Sequence, residues 1–265
     1  MTRLPLFVLF GLLAACGDKE DTTDDSGGEA DTDTDTDADT DTDTDTDTDL
    51  PTMTGTVSFS DGTNPEGMVR LQMCQTQCFV TFPDSNGNFT FQIEAGDYAF
   101  DAVSLDEDTA KYSTPLDMVT LPASGTSIGE TVVIYDFTDS AALQAGDLTV
   151  GDLTLTIDPG NIELPLEYSD AAFVAGVEVD ASSAGLPLAD LSGTVVGMWY
   201  LGPFKSKVDW DFSVATTLPD DAEVVAYNAD YEGIEWEELG TATVKGGMIS
   251  GLKLKHLSTL VLVQP

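Results

Sequence analysis

The sequence predicts an all-β protein in which two β-sandwich domains follow a disordered acidic linker. Beyond residue 52, short runs rich in Val, Thr, Phe, Tyr and Leu alternate with polar residues and end at Gly, Asn, Asp or Pro. No window shows a sustained apolar period of 3.6 residues, which argues against long helices. Hydrophobic residues form 42% of the 265 positions, too many for a wholly disordered chain.

The predicted order is a signal peptide at 1–15, a segment at 16–52 that begins with Cys16 and contains a disordered Asp/Thr linker, and sandwiches at 53–137 and 147–265. The chain carries 48 acidic and 9 basic side chains, a formal net charge of -39. Nucleic-acid binding is excluded because phosphates require many Lys and Arg side chains, and an anionic membrane surface would repel the protein. Of these residues, 32 acids and 7 bases follow Leu50, so the body is acidic as well as the linker.

The N-terminus carries the pattern of a secretory signal. Arg3 precedes an apolar run from Leu4 to Leu13, which is too short to span about 30 Å of hydrocarbon as a helix. The run ends in Leu13-Ala14-Ala15-Cys16-Gly17, which resembles the bacterial lipobox. The resemblance implies that Cys16 carries a diacylglycerol, is acylated with palmitate and forms the mature N-terminus. The alternative is an ordinary secreted protein with a chance cysteine.

The residues after Cys16 indicate which membrane would hold the lipid anchor. Gly17, rather than Asp, follows the cysteine, and by resemblance to the sorting rule of bacterial lipoproteins this implies an outer-membrane protein. The run Asp18-Lys19-Glu20-Asp21 is similar to acidic surface-export signals. A periplasmic and a cell-surface orientation both stay open.

The linker is an Asp-Thr alternation from Asp31 to Asp49, broken only at Ala38. It has nothing to bury and its charges repel, which predicts an extended, solvated tether. Residues 17–52 would span about 35 Å as a coil and up to ~120 Å when stretched. Two alternatives stay open: Ca²⁺ held by alternate carboxylates, although the glycines of calcium loops are missing, and O-linked sugars on the threonines.

Seven strands are predicted in the first domain: Met53–Phe59, Met68–Met73, Phe79–Phe82, Asn88–Ile93, Asp97–Leu105, Leu116–Leu121 and Glu130–Phe137. The motifs Gly55-Thr56-Val57, Asp84 to Phe91 with its Asn86-Gly87 turn, and Glu94 to Tyr98 resemble the carboxypeptidase regulatory-like domain. The resemblance implies a transthyretin-like accessory module without catalytic residues.

Cys74 and Cys78 lie between two predicted strands. In an exported protein they are expected to form one disulfide across a hairpin turn. A metal-binding pair is the alternative, but His256 is the single histidine and lies far along the chain. A redox-active pair is a further alternative, without a helix or base in view to lower a thiol pKa.

Residues Thr138–Gly146 are predicted to form a hinge. The second domain opens with Leu153–Ile157 and the turn Asp158-Pro159-Gly160, and it ends with strands at Val224–Tyr227, Trp236–Val244 and His256–Val263. This arrangement resembles ZU5-like β-sandwich modules, with a Trp before Leu239-Gly240 and a closing His256-Leu257-Ser258-Thr259 strand. The resemblance implies structural or interaction work.

The sequence offers little chemistry. It predicts no catalytic, cofactor-binding or metal-ligating residues, since phosphate-loop, dinucleotide and Gly-x-Ser-x-Gly motifs are missing. His256 with its neighbouring Ser-Thr is expected to be a packed strand residue rather than a catalytic base. Acidic residues are so numerous that two of them are expected to lie close together by chance. A pair of carboxylates is therefore no evidence for a glycosidase.

Two acidic clusters and four large aromatics are the remaining candidates for binding. Asp106-Glu107-Asp108 and Asp220-Asp221 are expected to serve turns and solubility, with a loop Ca²⁺ site as the alternative. The large aromatics of the second domain are expected in the core, with a sugar-stacking platform as the alternative: Trp199, Tyr200, Trp210 and Trp236.

The sequence therefore predicts a non-enzymatic, membrane-anchored lipoprotein that displays scaffold or interaction modules. Its partners would be the membrane, through the lipid, and proteins or glycans of the cell envelope. The alternatives are an adhesin dependent on carbohydrate or Ca²⁺, with the ion loosely bound, and a hydrolase.

Overall fold

The structure is a computed structural model that describes residues 49–188 and 191–265. The signal peptide, Cys16 and the linker to residue 48 lie outside the described residues. Thr48–Pro265 forms one compact unit. Within the described ranges the chain forms eighteen strands and a single 3-10 turn, Leu166–Tyr168, and no helix there is long and apolar enough to cross a membrane.

The first nine strands are β1 (Thr52–Phe59), β2 (Val69–Cys74), β3 (Cys78–Thr81), β4 (Asn88–Gln92), β5 (Gly96–Ser104), β6 (Leu116–Leu121), β7 (Thr126–Ile134), β8 (Asp139–Ala142) and β9 (Gly146–Val150). The other nine are β10 (Leu153–Ile157), β11 (Ile162–Glu163), β12 (Phe173–Glu178), β13 (Thr194–Gly202), β14 (Ser206–Ala215), β15 (Glu223–Asp230), β16 (Glu235–Thr243), β17 (Met248–Leu257) and β18 (Thr259–Gln264). The all-β prediction is confirmed.

Strands β1 to β7 form the first sandwich, from a sheet of order β4-β1-β7 and a sheet of order β3-β2-β5-β6. Buried residues from both sheets, such as Met53, Phe89 and Phe100, form its core. All seven predicted strands are present. The last begins at Thr126 rather than Glu130 and stops at Ile134, because the next residues bond to a loop instead: Ser113 donates its amide to the Tyr135 carbonyl.

The turn predicted at Asn86-Gly87 is confirmed. Gly87 adopts a φ of 81°, the left-handed conformation that glycine tolerates. The carboxylate of Asp84 accepts hydrogen bonds from the amides of Asn86 and Asn88, at 2.8 and 2.9 Å. The Asn88 side-chain amide also donates to this carboxylate, and together with the two backbone bonds it holds the pKa of Asp84 below its usual value.

The second sandwich packs a six-stranded sheet, β16-β15-β18-β13-β12-β8, on a sheet of order β11-β14-β10-β9 to which β17 adds beside β14. Its core includes Trp199, Trp210 and Leu254. The hinge predicted at Thr138–Gly146 is wrong, because β8 lies within it and pairs with β12. The short run Asp139-Ser140-Ala141-Ala142 lacks the apolar–polar alternation of a strand, yet it forms the edge of a large sheet.

The closing strand predicted at His256–Val263 is two strands. The chain changes sheets at buried Ser258, because β17 pairs with β14 and β18 pairs with β13 and β15. The Ser258 hydroxyl donates to the carbonyl of Ala229 at 2.7 Å, and Asn228 donates its side-chain amide to the Ser258 oxygen at 3.0 Å. These bonds satisfy the buried polar groups that the corner creates.

The six-stranded sheet also covers the open side of the first sandwich. Residues from β12, β13 and β18, among them Val177, Tyr200 and Val261, belong to the same buried cluster as the first core. Independent folding of 53–137 and 147–265 stays a prediction, while the structure joins both ranges through shared apolar contacts.

Candidate functional site

An apolar cavity lies in a cleft between β6 and β7, here called the β6–β7 groove. It has a volume of ≈ 280 Å³. Its apolar walls are Met53, Met118, Val119, Ile128, Leu186 and Pro187. A concave, mostly apolar cleft with a few polar groups is the usual form of a binding site.

Both long walls of the groove are sheet edges. β6 pairs only with β5, and β7 pairs within its sheet only with β1. In the antiparallel β5–β6 ladder, alternate residues turn their backbone groups away from the partner strand. Leu116 bonds Thr259 on that outer edge, so Met118 and Thr120 direct their amides and carbonyls to the same side.

A bulge in β7 shapes the opposite wall. Ser127 pairs with Thr54 and Thr131 pairs with Thr56, so residues 128–130 stand opposite Gly55 alone. Extra residues bend a strand and disturb its ladder, often beside binding sites. Residues 128–130 line the groove. A Cβ added to Gly129 would meet no atom within 4 Å, so open space lies in front of the bulge.

The protein's own segment 184–188 bridges the two edges at one end of the groove. The Val133 amide of β7 donates to the carbonyl of Ala184 at 3.1 Å. At the other side, the buried carboxylate of Asp117 accepts the Leu188 amide at 3.0 Å. Gly185, at φ 70°, lies so close to the Thr131 carbonyl that a side chain would collide with it.

A second cavity of ≈ 410 Å³ shares Met118, Val119 and Thr120 with the groove and is more polar. Trp236, Asp97 and Glu235 also line it. The Nε1 atom of Trp236 is buried and makes no hydrogen bond to any described residue. The two cavities thus offer an apolar zone that continues into an acidic one.

A buried polar cluster lies on the outer face of the sheet that holds β2 and β5. Asp101 is fully buried, and the Gln72 side chain donates to its Oδ1 at 3.0 Å. Its Oδ2 has no hydrogen-bond partner among the described residues. Burial raises the pKa of Asp101 to about 6, although the nearby Lys205 and Arg70 charges act in the opposite direction.

The second half of the chain meets this cluster through Lys205 and Tyr231. The Lys205 ammonium lies 3.6 Å from the centre of the Tyr231 ring, a cation–π contact. Burial lowers the pKa of Lys205 and raises that of Tyr231 to about 12. Lys205 also has a left-handed φ of 65°. The cluster joins the two sandwiches, and none of its residues lines the β6–β7 groove.

The predicted disulfide is present between Cys74 and Cys78, whose sulfurs are 2.08 Å apart. The two residues stand opposite each other where β2 and β3 pair, as a hairpin bridge requires. Because both sulfurs are joined in the disulfide, this pair has no thiolate with which to bind a metal. The predicted lipid attachment at Cys16 lies outside the described residues.

His256 is a packed strand residue, as predicted. Its Nε2 lies 3.3 Å from a carboxylate oxygen of Glu237 and 3.8 Å from one of Asp230. Its backbone amide donates to the side chain of Asn228 at 2.7 Å. The neighbouring Ser258 hydroxyl is bonded at the sheet corner instead of to the imidazole, so the arrangement lacks a nucleophile–base pair.

The two acidic loops form turns. In the first, the Asp108 amide donates to the Asp106 carboxylate at 2.9 Å, and Nζ of Lys111 lies 3.6 Å from Oδ2 of the same carboxylate. In the second, Asp220 accepts the Gly246 amide at 2.8 Å, while Asp221 has a left-handed φ of 68°. Across residues 49–188 and 191–265, no three His, Cys, Asp or Glu side chains converge as metal ligands would.

Three of the four large aromatics lie in the core, as predicted. Trp199, Tyr200 and Trp210 are each at most 1% exposed and offer no face to a sugar. The indole nitrogens of Trp199 and Trp210 donate to the carbonyls of Val150 and Asp158, at 3.2 and 2.8 Å. Trp236 differs because it is half-buried and lines a cavity. The β6–β7 groove corresponds to no sequence pattern, since it depends on a bulge and on segment 184–188.

No family model and no curated protein matches the chain. Among solved structures, it is similar to a DUF3823 family protein from Bacteroides ovatus, at 10% identity and a TM-score of 0.25, covering 79% of this chain and 100% of that one. A DUF3823 family protein from Parabacteroides merdae matches at 11% identity and a TM-score of 0.24, with 82% and 99% covered. Fervidolysin from Fervidobacterium pennivorans, a keratinolytic enzyme related to subtilisin, matches at 12% identity and a TM-score of 0.25. The match covers 82% of this chain and 30% of that one. Likenesses of this size define no family for the chain.

Proposed function

We propose that this chain is a non-enzymatic lipoprotein that holds a β-sandwich binding module away from a membrane. The β6–β7 groove carries the proposal, because it is an open apolar cleft bounded by two sheet edges. The histidine and the cysteine pair, which could have supplied chemistry, have structural partners instead. His256 lies between carboxylates, and Cys74 and Cys78 are joined to each other.

The anchor would be a diacylglycerol on Cys16, in the lipobox-like run that ends at Gly17. Several acyl chains anchor far more firmly than one, at about 0.8 kcal/mol per buried CH₂. The Asp-Thr tether would then carry the module away from the lipid surface. Gly17 after the cysteine favours the outer membrane, with the module in the periplasm or on the cell surface.

The likeness of the first sandwich to carboxypeptidase regulatory-like domains supports an accessory role. Its seven strands lie in two sheets of three and four, and the Asp84–Phe91 turn has the expected conformation. The likeness of the second sandwich to ZU5-like modules rests on the Trp236–Gly240 and His256–Thr259 runs. Both resemblances favour interaction work over catalysis.

The anchor is tested with the full chain and the variant Cys16→Ser, expressed in a bacterium supplied with labelled palmitate. The unmodified protein is expected to take up label and to sediment with membranes, and the variant is expected to lose both. A double variant, Cys74→Ser with Cys78→Ser, serves as the matched control and should keep the label. A Cys16→Ser protein that still carries palmitate would refute the anchor.

A second candidate function is an adhesin that binds glycans or Ca²⁺. The observation in its favour is the cavity where Trp236 lies beside Asp97 and Glu235, since aromatic rings stack on sugars and carboxylates bind calcium. Calorimetry with Ca²⁺ and with cell-envelope glycans separates the two functions. Sub-millimolar binding that is lost in Trp236→Ala supports the adhesin, and absence of heat supports the scaffold.

A further inference from the structure

We infer that the β6–β7 groove binds an extended segment of a partner protein that carries apolar and basic side chains, adding it to the edge of β7. The inference deepens the proposed function, because it rests on the sandwich unit being a binding module. Strand addition is a common mode of peptide recognition, in which backbone bonds supply affinity and side-chain pockets supply specificity.

One segment of this chain already lies between the edges of β6 and β7 and shows what kind of backbone fits there. Segment 184–188 crosses this gap, and the carbonyl of Ala184 takes the Val133 amide as a paired strand would. Ala184 and Leu186 are buried there, at 0% and 7% exposure. Further along β7, no such segment among the described residues covers residues 126–130, and the groove opens there.

The shape of the open part suits a short extended peptide. Residues 126–130 of β7 would offer about 17 Å of edge at roughly 3.3 Å per residue. Ile128 is buried on this stretch while its neighbours Ser127 and Gly129 are exposed. Thr126 and Glu130 are exposed as well, so the bulge breaks the alternation of β7 itself. An added strand would alternate by its own pleat, and every second side chain would enter the apolar walls at Met118 and Leu186.

The negative charge around the groove indicates which kind of segment could bind there. Glu130 is the charged residue that lines the groove, and Asp97 and Glu235 line the adjoining cavity. None of the seven bases of the body lines either cavity. A second copy of this chain would bring the same net charge of -39, and the Asp-Thr tether offers Ala38 as its one apolar side chain, among Asp carboxylates that Glu130 would repel. A basic, apolar segment from another protein fits both features.

The test uses the full chain and a fluorescent synthetic peptide that alternates valine and lysine. A peptide of alternating valine and glutamate is the charge control, and a copy of the first with every second amide N-methylated is the backbone control. Fluorescence anisotropy reports binding. We expect the lysine peptide to bind in the micromolar range and each control to bind about 10-fold or more weakly, a difference of about 1.4 kcal/mol.

Two variants locate the binding site. Gly129→Trp should fold normally, because space is open at that position, and should weaken binding about 10-fold or more by filling the groove. Thr90→Trp places the same side chain at an exposed position of β4, at the opposite edge of the same sheet, and should bind like the unmodified protein. Glu130→Lys should reverse the preference between the lysine and glutamate peptides.

The inference is overturned by no binding of the lysine peptide at millimolar concentration, by equal binding of the N-methylated copy, or by equal loss in Thr90→Trp and Gly129→Trp. These outcomes are independent of the palmitate experiment. If the anchor fails and the peptide binds, the groove stands and the proposed location falls. If the anchor holds and no peptide binds, only the partner assignment falls.

Discussion

The hydroxyl of Tyr231 donates a hydrogen bond of 2.8 Å to Sγ of Cys74 and lies 3.1 Å from Sγ of Cys78. Tyr231 belongs to the turn between β15 and β16, whereas the disulfide joins β2 to β3. The ring of the same tyrosine supports the Lys205 ammonium. One side chain thus connects the disulfide of the first sandwich to the buried charges between the two sandwiches.

Tyr231→Phe should lower the free energy of unfolding by about 1 kcal/mol, the usual net worth of one hydrogen bond. Urea unfolding measures the change. Tyr227→Phe is the matched control, because the Tyr227 hydroxyl makes no hydrogen bond to any described residue. Equal midpoints for Tyr231→Phe and the unmodified protein would show that the contact with sulfur adds no stability.

Replacing the disulfide by alanine at both Cys74 and Cys78 should cost about 2 kcal/mol, the loop-closure value for so short a loop. The urea midpoint should fall accordingly. Because Cys78 is exposed, treating the unmodified protein with dithiothreitol should give a similar fall. Adding the reductant to the double alanine variant is the control and should change nothing.

The stability of the fold should fall as pH rises from about 4 to about 6, insofar as Asp101 controls it. Its folded pKa is raised to about 6 from 3.8, so the folded state holds this proton more tightly than the unfolded chain does. Below the unfolded pKa both states are protonated and the penalty is missing, whereas above pH 6 the full penalty of burying the charge applies. Linkage puts this penalty at about 3 kcal/mol.

Asp101→Asn isolates that contribution from the other carboxylates. The free energy of unfolding of the unmodified protein, relative to the variant, should decrease by about 3 kcal/mol between pH 3.5 and pH 7. Chemical unfolding at several pH values measures it. Parallel pH profiles for the two proteins would mean that Asp101 titrates as an ordinary carboxyl.

Asn228→Ala should destabilise the protein by about 3 kcal/mol, among the larger costs of a single substitution. The buried side chain donates to Ser258 and Thr259 and accepts from the amides of Lys255 and His256. Its loss leaves several buried polar groups unpaired at the sheet corner. Asn161→Ala in an exposed turn is the control and should cost well under half as much. Thermal and urea unfolding together check the difference.

The sequence was most informative where local patterns decide the structure. The seven strands of the first sandwich alternate apolar and polar residues between clear turn residues, and all seven form. β8 was missed because Asp139-Ser140-Ala141-Ala142 has no alternation of its own, and it is a strand only through pairing with β12. The break at Ser258 was missed because an apolar run reads as one strand, whichever sheet each part joins.

The candidate site was beyond such patterns for the same reason. Met118 and Ile128 lie on consecutive strands that belong to different sheets, and Leu186 comes from a loop much further along the chain. They meet because two sheet edges and one loop converge. The disulfide was predictable because its residues are four apart and flank a hairpin turn. Asp101 looks like any other acid in a chain with 48 of them, and only the packing of the two sandwiches buries it.

The position of β1 has a mechanical consequence. Any force that reaches the module through the chain before Thr52 is applied to the end of a central strand, held by β4 on one side and by β7 on the other. Because ladder hydrogen bonds lie across the strand direction, a pull along β1 loads both rows at once, in shear, instead of opening them one by one. The module is therefore built to resist being pulled apart from its N-terminal end.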